Sequence, residues 1–571
     1  MGAEEEHEEA AGAPRILIAD EIAQEGIDYL RAQLPEAQID VRTGLKAEQL
    51  RAAIGEYTAL IVRSATQVTA DILAAATQLK IVGRAGVGVD NIDTEAATAA
   101  GIMVVNSPTG NIVAAAEHTI AMLMALARHI PEANSSTKAG RWEKNRFMGV
   151  EVRNKVLGVI GLGKVGTEVT RRAQGLEMQV IAHDPYVSPE QARKLGVSMF
   201  TLDEVLEQAD FVTLHTSLTS GPSGTRGLIG ARELALMKPT ARLINCARGG
   251  LIDEEALLHA LNEGRLAGAA LDVFSQEPIR DNETLKLLLA HERVIATPHL
   301  GASTEEAQVG VATDVAEQVV TVLRGGFPRA AVNAPLILPE TLQVLQPYMR
   351  LVEKLGRLYT QLQPGPLSKI ELSCSGDIAN YDLRPLKAAL IKGLLESISD
   401  AHVNMINAPA LAKQWGLEIV EQKSSTPAEF ANLITMRVLD SNGYTSSFAG
   451  KPGSGDEHID VLAGTVMHGV PRVVRVGRYW TEIVPEGYIL FCRNYDQPGM
   501  IGRVGTVLGK AHVNIRHMDV GPSERTPRRR DSQQPPDTAL MIISVDDPIP
   551  DWALAEIGDS GDIFGLTLVK L

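Results

Sequence analysis

From residue 15 the chain alternates short apolar runs with longer stretches in which apolar residues recur every three or four positions. RILIA (15–19), ALIVRS (59–64), KIVGRAG (80–86) and IMVVNSP (102–108) read as buried strands, each followed by a helical or turn segment, the first at 25–33. Alternating units of this kind predict a parallel sheet. Residues 117–127 read as a long apolar helix between layers. A second series runs from Lys155 to Pro298, with strands KVLGVIG, MQVIAHD, FVTLHTS, ARLINCA, AGAALDV and VIATPH. That count fits a complete doubly wound domain. A helix at 305–323 then leads away and is expected to pack back on the first domain, making it discontinuous.

Beyond NAPLILPE (333–340) the pattern becomes mixed α and β, with KPGSGDE (451–457) as a loop. From Gly487 the order is strand, helix, strand, strand, helix, strand, the ferredoxin-like pattern. The expected fold class is α/β: two doubly wound Rossmann-like domains, a mixed α/β domain, then a βαββαβ domain. A basic, Pro-rich insert, SERTPRRRDSQQPPD (523–537), reads as a hairpin tip rather than a nucleic-acid patch.

Composition narrows the function classes. The 571 residues carry a formal net charge of −16, which argues against generic nucleic-acid or anionic-membrane binding. EEEHEE (4–9) reads as a solvated acidic tail. Cys246, Cys374 and Cys492 are far apart and odd in number, so they predict neither a disulfide framework nor a metal site. No apolar run is long enough to span a bilayer, the acidic N-terminus resembles no targeting peptide, and the myristoylation pattern fails at position 6.

The chemistry begins at VIGLGKVG (159–166), a GxGxxG directly after an apolar strand and before a helix. Gly161 allows the tight turn, Gly163 lets a pyrophosphate approach the backbone, and Gly166 allows close helix packing. Asp184 ends the next strand, where a carboxylate binds ribose hydroxyls and repels a 2′-phosphate, so the cofactor is read as NAD. Three later strands end near Arg248, Glu277 and His299. His299 suits proton transfer near neutral pH, Glu277 suits orienting it, and Arg248 suits a substrate carboxylate. Gly249 and Gly250 are expected to keep the cleft open around Arg248. Together these point to hydride chemistry on a 2-hydroxy or 2-oxo acid.

At these residues the chain resembles the D-isomer-specific 2-hydroxyacid dehydrogenase family, through LIVRSATQVTADIL, VGRAGVGVDNID, GLGKVGTEV, HDPY, NCARGGLIDEEAL, AALDVFSQEP and TPHLGAST. More narrowly it resembles the long, plant-type branch that oxidises 3-phospho-D-glycerate in L-serine biosynthesis. The resemblance implies Arg248, Glu277 and His299 as the catalytic set. It places Lys164, Val165, Asp184, Thr216, Cys246, Ala247, Asp272, Gly301 and Ala302 at the cofactor, beside Gly161, Gly163, Gly166, Arg248 and His299, with His215 as a pocket wall. It places Arg63, Ser64, Arg84, Gly86, Val87 and Asn111 at the substrate. The C-terminal segment resembles ACT domains, which implies L-serine as an effector at Asn494, Asp496 and a partner subunit's Asn514. The resemblance further implies a homo-oligomer, dimer or tetramer.

The expected division is therefore a tail at 1–13, a substrate domain at 14–107 plus 299–333, an NAD domain at 108–298, an intervening allosteric domain at 334–485 and an ACT domain at 486–571. Hinge motion is expected near 106–111 and 298–303. Localisation is read as the plastid stroma for a trimmed plant-type precursor and otherwise the cytoplasm. Two other readings remain: a glycerate or hydroxypyruvate reductase, and a non-catalytic NAD(H)-sensing scaffold.

Overall fold

A computed structural model describes residues 13–571 except 220, 222–223, 336, 338, 400–401, 428, 440–458, 523–537 and 560. Residues 1–12, KPGSGDE and the basic insert lie outside the described residues.

The first sheet is parallel, with β1 (Arg15–Ile18), β2 (Gln38–Val41), β3 (Ala59–Val62), β4 (Ile81–Arg84) and β5 (Met103–Asn106) in the order β2-β1-β3-β4-β5. The sequence pattern missed β2: its QIDV lies at the sheet edge, where no buried apolar run is required. Helix Glu305–Leu323 does pack back on this sheet, burying Val311, Val315, Ala316 and Val319 against Ile16, Ile18, Ile27 and Leu30. Gly26 admits it closely, since a Cβ there would stand 2.9 Å from the Ala312 backbone. The chain then lies beside β5, where Val332 N–H donates to Val104 O at 2.7 Å and Asn333 Oδ1 accepts from Val104 N–H at 2.8 Å.

The second sheet is also parallel. It comprises β6 (Val156–Ile160), β7 (Gln179–His183), β8 (Ser198–Met199), β9 (Phe211–Leu214), β10 (Arg242–Asn245), β11 (Gly268–Leu271) and β12 (Val294–Ala296), ordered β12-β11-β10-β9-β6-β7-β8. The expected six strands are present; the seventh, β8, has only two residues and leaves no periodicity to read. Strand order reverses between β6 and β9, which opens a crevice beyond their carboxyl ends. Both faces are buried, one of them partly by helix Ile112–Arg128. Full burial of each Leu or Ile in such strands contributes about 1.5–3 kcal/mol.

A mixed sheet follows, ordered β14-β13-β15-β16-β17-β18: β13 (Lys369–Gly376), β14 (Glu418–Ser424), β15 (Asn432–Leu439), β16 (Val461–Met467), β17 (Val470–Val476) and β18 (Tyr479–Ile483). Only β13 and β14 pair in parallel. Helices Pro339–Leu362 and Arg384–Glu396 supply much of its core. The last sheet is antiparallel, β20-β21-β19-β22, from β19 (Tyr488–Tyr495), β20 (Ile515–Pro522), β21 (Thr538–Val545) and β22 (Ile563–Lys570). Its helices, Met500–Lys510 and Asp551–Gly558, fall where the βαββαβ pattern puts them.

Candidate active site

The turn after β6 shows why each glycine is a glycine. Gly161 has φ +95°, and a Cβ there would press on the His215 backbone. A Cβ on Gly166 would overlap the Gly161 carbonyl oxygen. A Cβ on Gly163 would meet nothing within 4 Å, so that position faces open space at the N-terminus of helix Lys164–Gly175. Lys164 and Val165 are the first two residues of that helix, whose N–H groups suit a phosphate. Asp184 accepts from Leu162 N–H at 2.8 Å and Tyr186 N–H at 2.9 Å, which locks its carboxylate beside the turn. Beyond β9, Thr216 Oγ1 is buried without a hydrogen-bond partner. His215 is deeply buried, which lowers its pKa to about 4, and its Nε2 bonds Thr213 Oγ1 at 2.9 Å. It is a neutral wall residue. Open space at Gly163, an orphaned hydroxyl at Thr216 and a fixed carboxylate at Asp184 fit a dinucleotide with a free ribose.

The carboxyl ends of β10, β11 and β12 lead to Arg248, Glu277 and His299. Glu277 Oε2 lies 2.6 Å from His299 Nδ1, and its Oε1 accepts from Phe274 N–H at 2.8 Å. Burial pushes the Glu277 carboxyl up, yet the bonds from His299 and Phe274 hold it below its ordinary value. His299 takes φ +55°, with its N–H donated to Asp272 O at 2.9 Å. Its side chain remains 47% exposed, so the ring is held and still reachable. Arg248 crosses toward the first domain, where its Nε lies 3.4 Å from Asp90 Oδ2. Gly249 and Gly250 do not simply hold space open. A Cβ on Gly249 would overlap the Phe274 carbonyl, so it is a packing glycine, and Gly250 takes φ +81°.

Asp272 is wholly buried. Its carboxylate accepts from Thr297 Oγ1 at 2.6 Å, Leu300 N–H at 2.7 Å and Gly301 N–H at 2.9 Å, with His118 Nε2 at 3.2 Å. Burial would raise its pKa, but His118, Thr297 and Leu300 bring it below the ordinary value. It therefore organises the loop that carries His299 and Gly301; Ala302 O, further along, accepts from Gln308 Nε2 at 2.7 Å. Cys246 is pushed up to about 12, chiefly by burial and then by Asp272, so its thiol stays protonated. His118 and Asn245 were missed by sequence reasoning; a polar residue within an otherwise apolar helix or strand is the signal they carry.

Across the cleft, Arg84 is lowered to about 10 by burial and by the charge of Arg248 and Arg63, against the pull of Asp90. Its Nε is buried without a partner, and Gly86 lies so close to its guanidinium that a side chain there would overlap it. Three arginines so placed call for an anion. Val87 O accepts from the Asn106 amide, Ser64 is exposed, Arg63 N–H donates to Asp20 at 2.6 Å, and Asn111 Oδ1 is buried without a partner. In the last domain Asn494 is buried with its Oδ1 unpartnered, and Asp496 is exposed. Asn514 donates to Asp546 Oδ2 of its own chain at 2.6 Å. It precedes β20, which β21 separates from the β19 strand of Asn494, so one chain does not bring the two together.

Three family models match the chain: the D-isomer specific 2-hydroxyacid dehydrogenase NAD binding domain over residues 120–301, the D-3-phosphoglycerate dehydrogenase intervening domain over 344–458, and the ACT domain over 488–557. A D-3-phosphoglycerate dehydrogenase from Synechocystis is 44% identical over 98% of this chain and 95% of its own. The chloroplastic D-3-phosphoglycerate dehydrogenase 2 of Arabidopsis thaliana is 44% identical over 98% of this chain and 87% of its own. Among solved structures, a glyoxylate reductase from Paecilomyes thermophila superposes with a TM-score of 0.51 at 28% identity, over 56% of this chain and 99% of its own.

Proposed function

This chain belongs to the D-3-phosphoglycerate dehydrogenase family, an NAD-dependent oxidoreductase family, and on that premise we propose how its residues oxidise 3-phospho-D-glycerate to 3-phosphohydroxypyruvate, the first step of the phosphorylated route to L-serine. The observation that carries the reading is the 2.6 Å bond between His299 Nδ1 and Glu277 Oε2, on strand ends beside Arg248. That bond fixes the ring and leaves Nε2 to take the substrate's hydroxyl proton. Glu277, held ionised, stabilises the imidazolium that results. Arg248 binds the substrate carboxylate and polarises the neighbouring C–O. Arg84 and Arg63 receive the phosphate, with Ser64, Gly86, Val87 and Asn111 at the rim. Bound NAD accepts the hydride from the substrate carbon. Gly161, Gly163, Gly166, Lys164 and Val165 hold its pyrophosphate, and Asp184 its ribose. Thr216, Cys246, Ala247, Asp272, Gly301 and Ala302 surround the rest.

The orphaned Asn494 Oδ1 near the start of helix Met500–Lys510 supports L-serine as effector at Asn494, Asp496 and a second subunit's Asn514. The unit is a homo-oligomer, dimer or tetramer, and exposed Trp142 and Met148 leave apolar surface for such contacts. The chloroplastic relative favours a plastid location. No helix among the described residues is long and apolar enough to cross a membrane.

The test follows NADH consumption with 3-phosphohydroxypyruvate, hydroxypyruvate and 2-oxoglutarate, with and without L-serine. The phosphorylated acid should have a kcat/KM at least tenfold above the others, because the arginine cluster lies desolvated without a partner anion. Equal values for hydroxypyruvate would turn the assignment toward a hydroxypyruvate reductase, and no turnover at all toward an NAD(H)-sensing scaffold.

A further inference from the structure

We infer that Asn245 is the positioning residue for Arg248, a role that rests on Arg248 binding the substrate carboxylate as proposed above. Asn245 is the last residue of β10 and is 2% exposed. Hydrophobic neighbours fill both faces of this strand, so a buried amide there must have its hydrogen bonds met. It meets them all within the segment it launches. Its backbone carbonyl accepts from Asp272 N–H at 2.9 Å, which ties β10 to the adjoining strand end. Its side-chain Oδ1 accepts from Ala247 N–H at 3.1 Å, and its Nδ2 donates to Arg248 O at 2.9 Å.

The amide therefore acts as a detached peptide unit that closes the turn Asn245–Arg248. It fixes the backbone on both sides of the Ala247–Arg248 bond. Arg248 then bends back, its Nη1 donating to Ala247 O at 2.7 Å, within a turn whose shape the amide sets. Next to it Gly249 is wedged against Phe274 O, which leaves the turn little room to relax. The chemistry needs asparagine specifically. Aspartate has the shape and the acceptor but no donor, and its charge would face the Arg248 carbonyl. Leucine has neither group.

The test measures 3-phospho-D-glycerate binding to the NADH complex of the full-length protein, by calorimetry, in a double-mutant cycle of Asn245→Asp and Arg248→Ala. Asn245→Asp should weaken substrate binding about tenfold, the scale of one buried hydrogen bond lost, and leave NADH affinity within twofold. In the Arg248→Ala background the same change should cost less than twofold, because nothing remains to be positioned. Should Asn245→Asp not fold, Asn245→Ser, which keeps an acceptor for Ala247 N–H, replaces it with the same expectation at a smaller size. An undiminished penalty without Arg248, or no penalty with it, overturns the role of Asn245. Unchanged substrate binding in Arg248→Ala alone overturns instead the carboxylate assignment of Arg248.

Discussion

At the scale of single residues, the pair Glu277–His299 sets the pH behaviour. Burial alone would push the Glu277 carboxyl up, but His299 and the Phe274 N–H more than offset it, so Glu277 stays ionised from neutral pH down past the ordinary carboxylate range. The sign follows: its folded value is depressed, so its stabilising contribution is present above the ordinary value and lost only as pH falls through the depressed one. In the working range Glu277 is thus a constant negative charge that favours the protonated ring. Glu277→Gln should move the alkaline limb of 3-phosphohydroxypyruvate reduction to lower pH by about one unit and lower kcat at least tenfold, as read from a pH–rate profile. An unmoved limb would mean that the pair does not act as the acid. These residues were legible in the sequence because each follows an apolar strand closely. Asn245 was not: its amide works on the backbone of its own turn, and three bonds within four residues leave no long-range pattern.

At the scale of elements, the glycine turn after β6 and the strand end after β10 make opposite uses of the same residue type. Gly163 has ordinary backbone angles and open space where a Cβ would stand, whereas a Cβ on Gly249 would overlap the Phe274 carbonyl. Gly163→Ala should leave the melting temperature unchanged and weaken NADH binding about tenfold, because the added methyl enters only the space of the pyrophosphate. Gly249→Ala should instead lower the melting temperature by several degrees together with activity, since backbone must shift. Calorimetric titration and thermal unfolding of both variants check the contrast; equal NADH affinity in Gly163→Ala and the unaltered protein would contradict it. The sequence placed both glycines next to the chemistry but misread Gly249 as mere clearance, because packing against a backbone 25 residues further on has no local signature. The elements it missed, β2 and β8, are short strands at sheet edges, where an apolar run is not needed.

At the scale of the whole molecule, two crossings join the first two domains, and small residues meet there. Gly110 O stands 3.1 Å from where a Gly310 Cβ would lie, and Ser107 Oγ donates to Asp314 Oδ2 at 2.6 Å. The later domains are tied in through side chains the sequence could not pair. Asn404 Nδ2 donates to Gly101 O at 2.7 Å in the turn that feeds β5. Asp519 of β20 accepts from Thr481 Oγ1 and, at 3.1 Å, from Glu482 N–H of β18. Long-range docking of this sort depends on which surfaces meet after folding, and periodicity along the chain does not encode it. The cleft itself is set by the first two domains, with Arg84 and Arg63 on one wall and Arg248, Glu277 and His299 on the other. Closing it on a substrate replaces the arginines' missing counter-charge. The most direct measurement is a crystal structure of the full-length protein with NAD and 3-phospho-D-glycerate. The account predicts the substrate carboxylate on Arg248, its 2-hydroxyl within hydrogen-bond distance of His299 Nε2, and its phosphate on Arg84 and Arg63. A phosphate bound at Arg248, or a hydroxyl out of reach of His299, would contradict it.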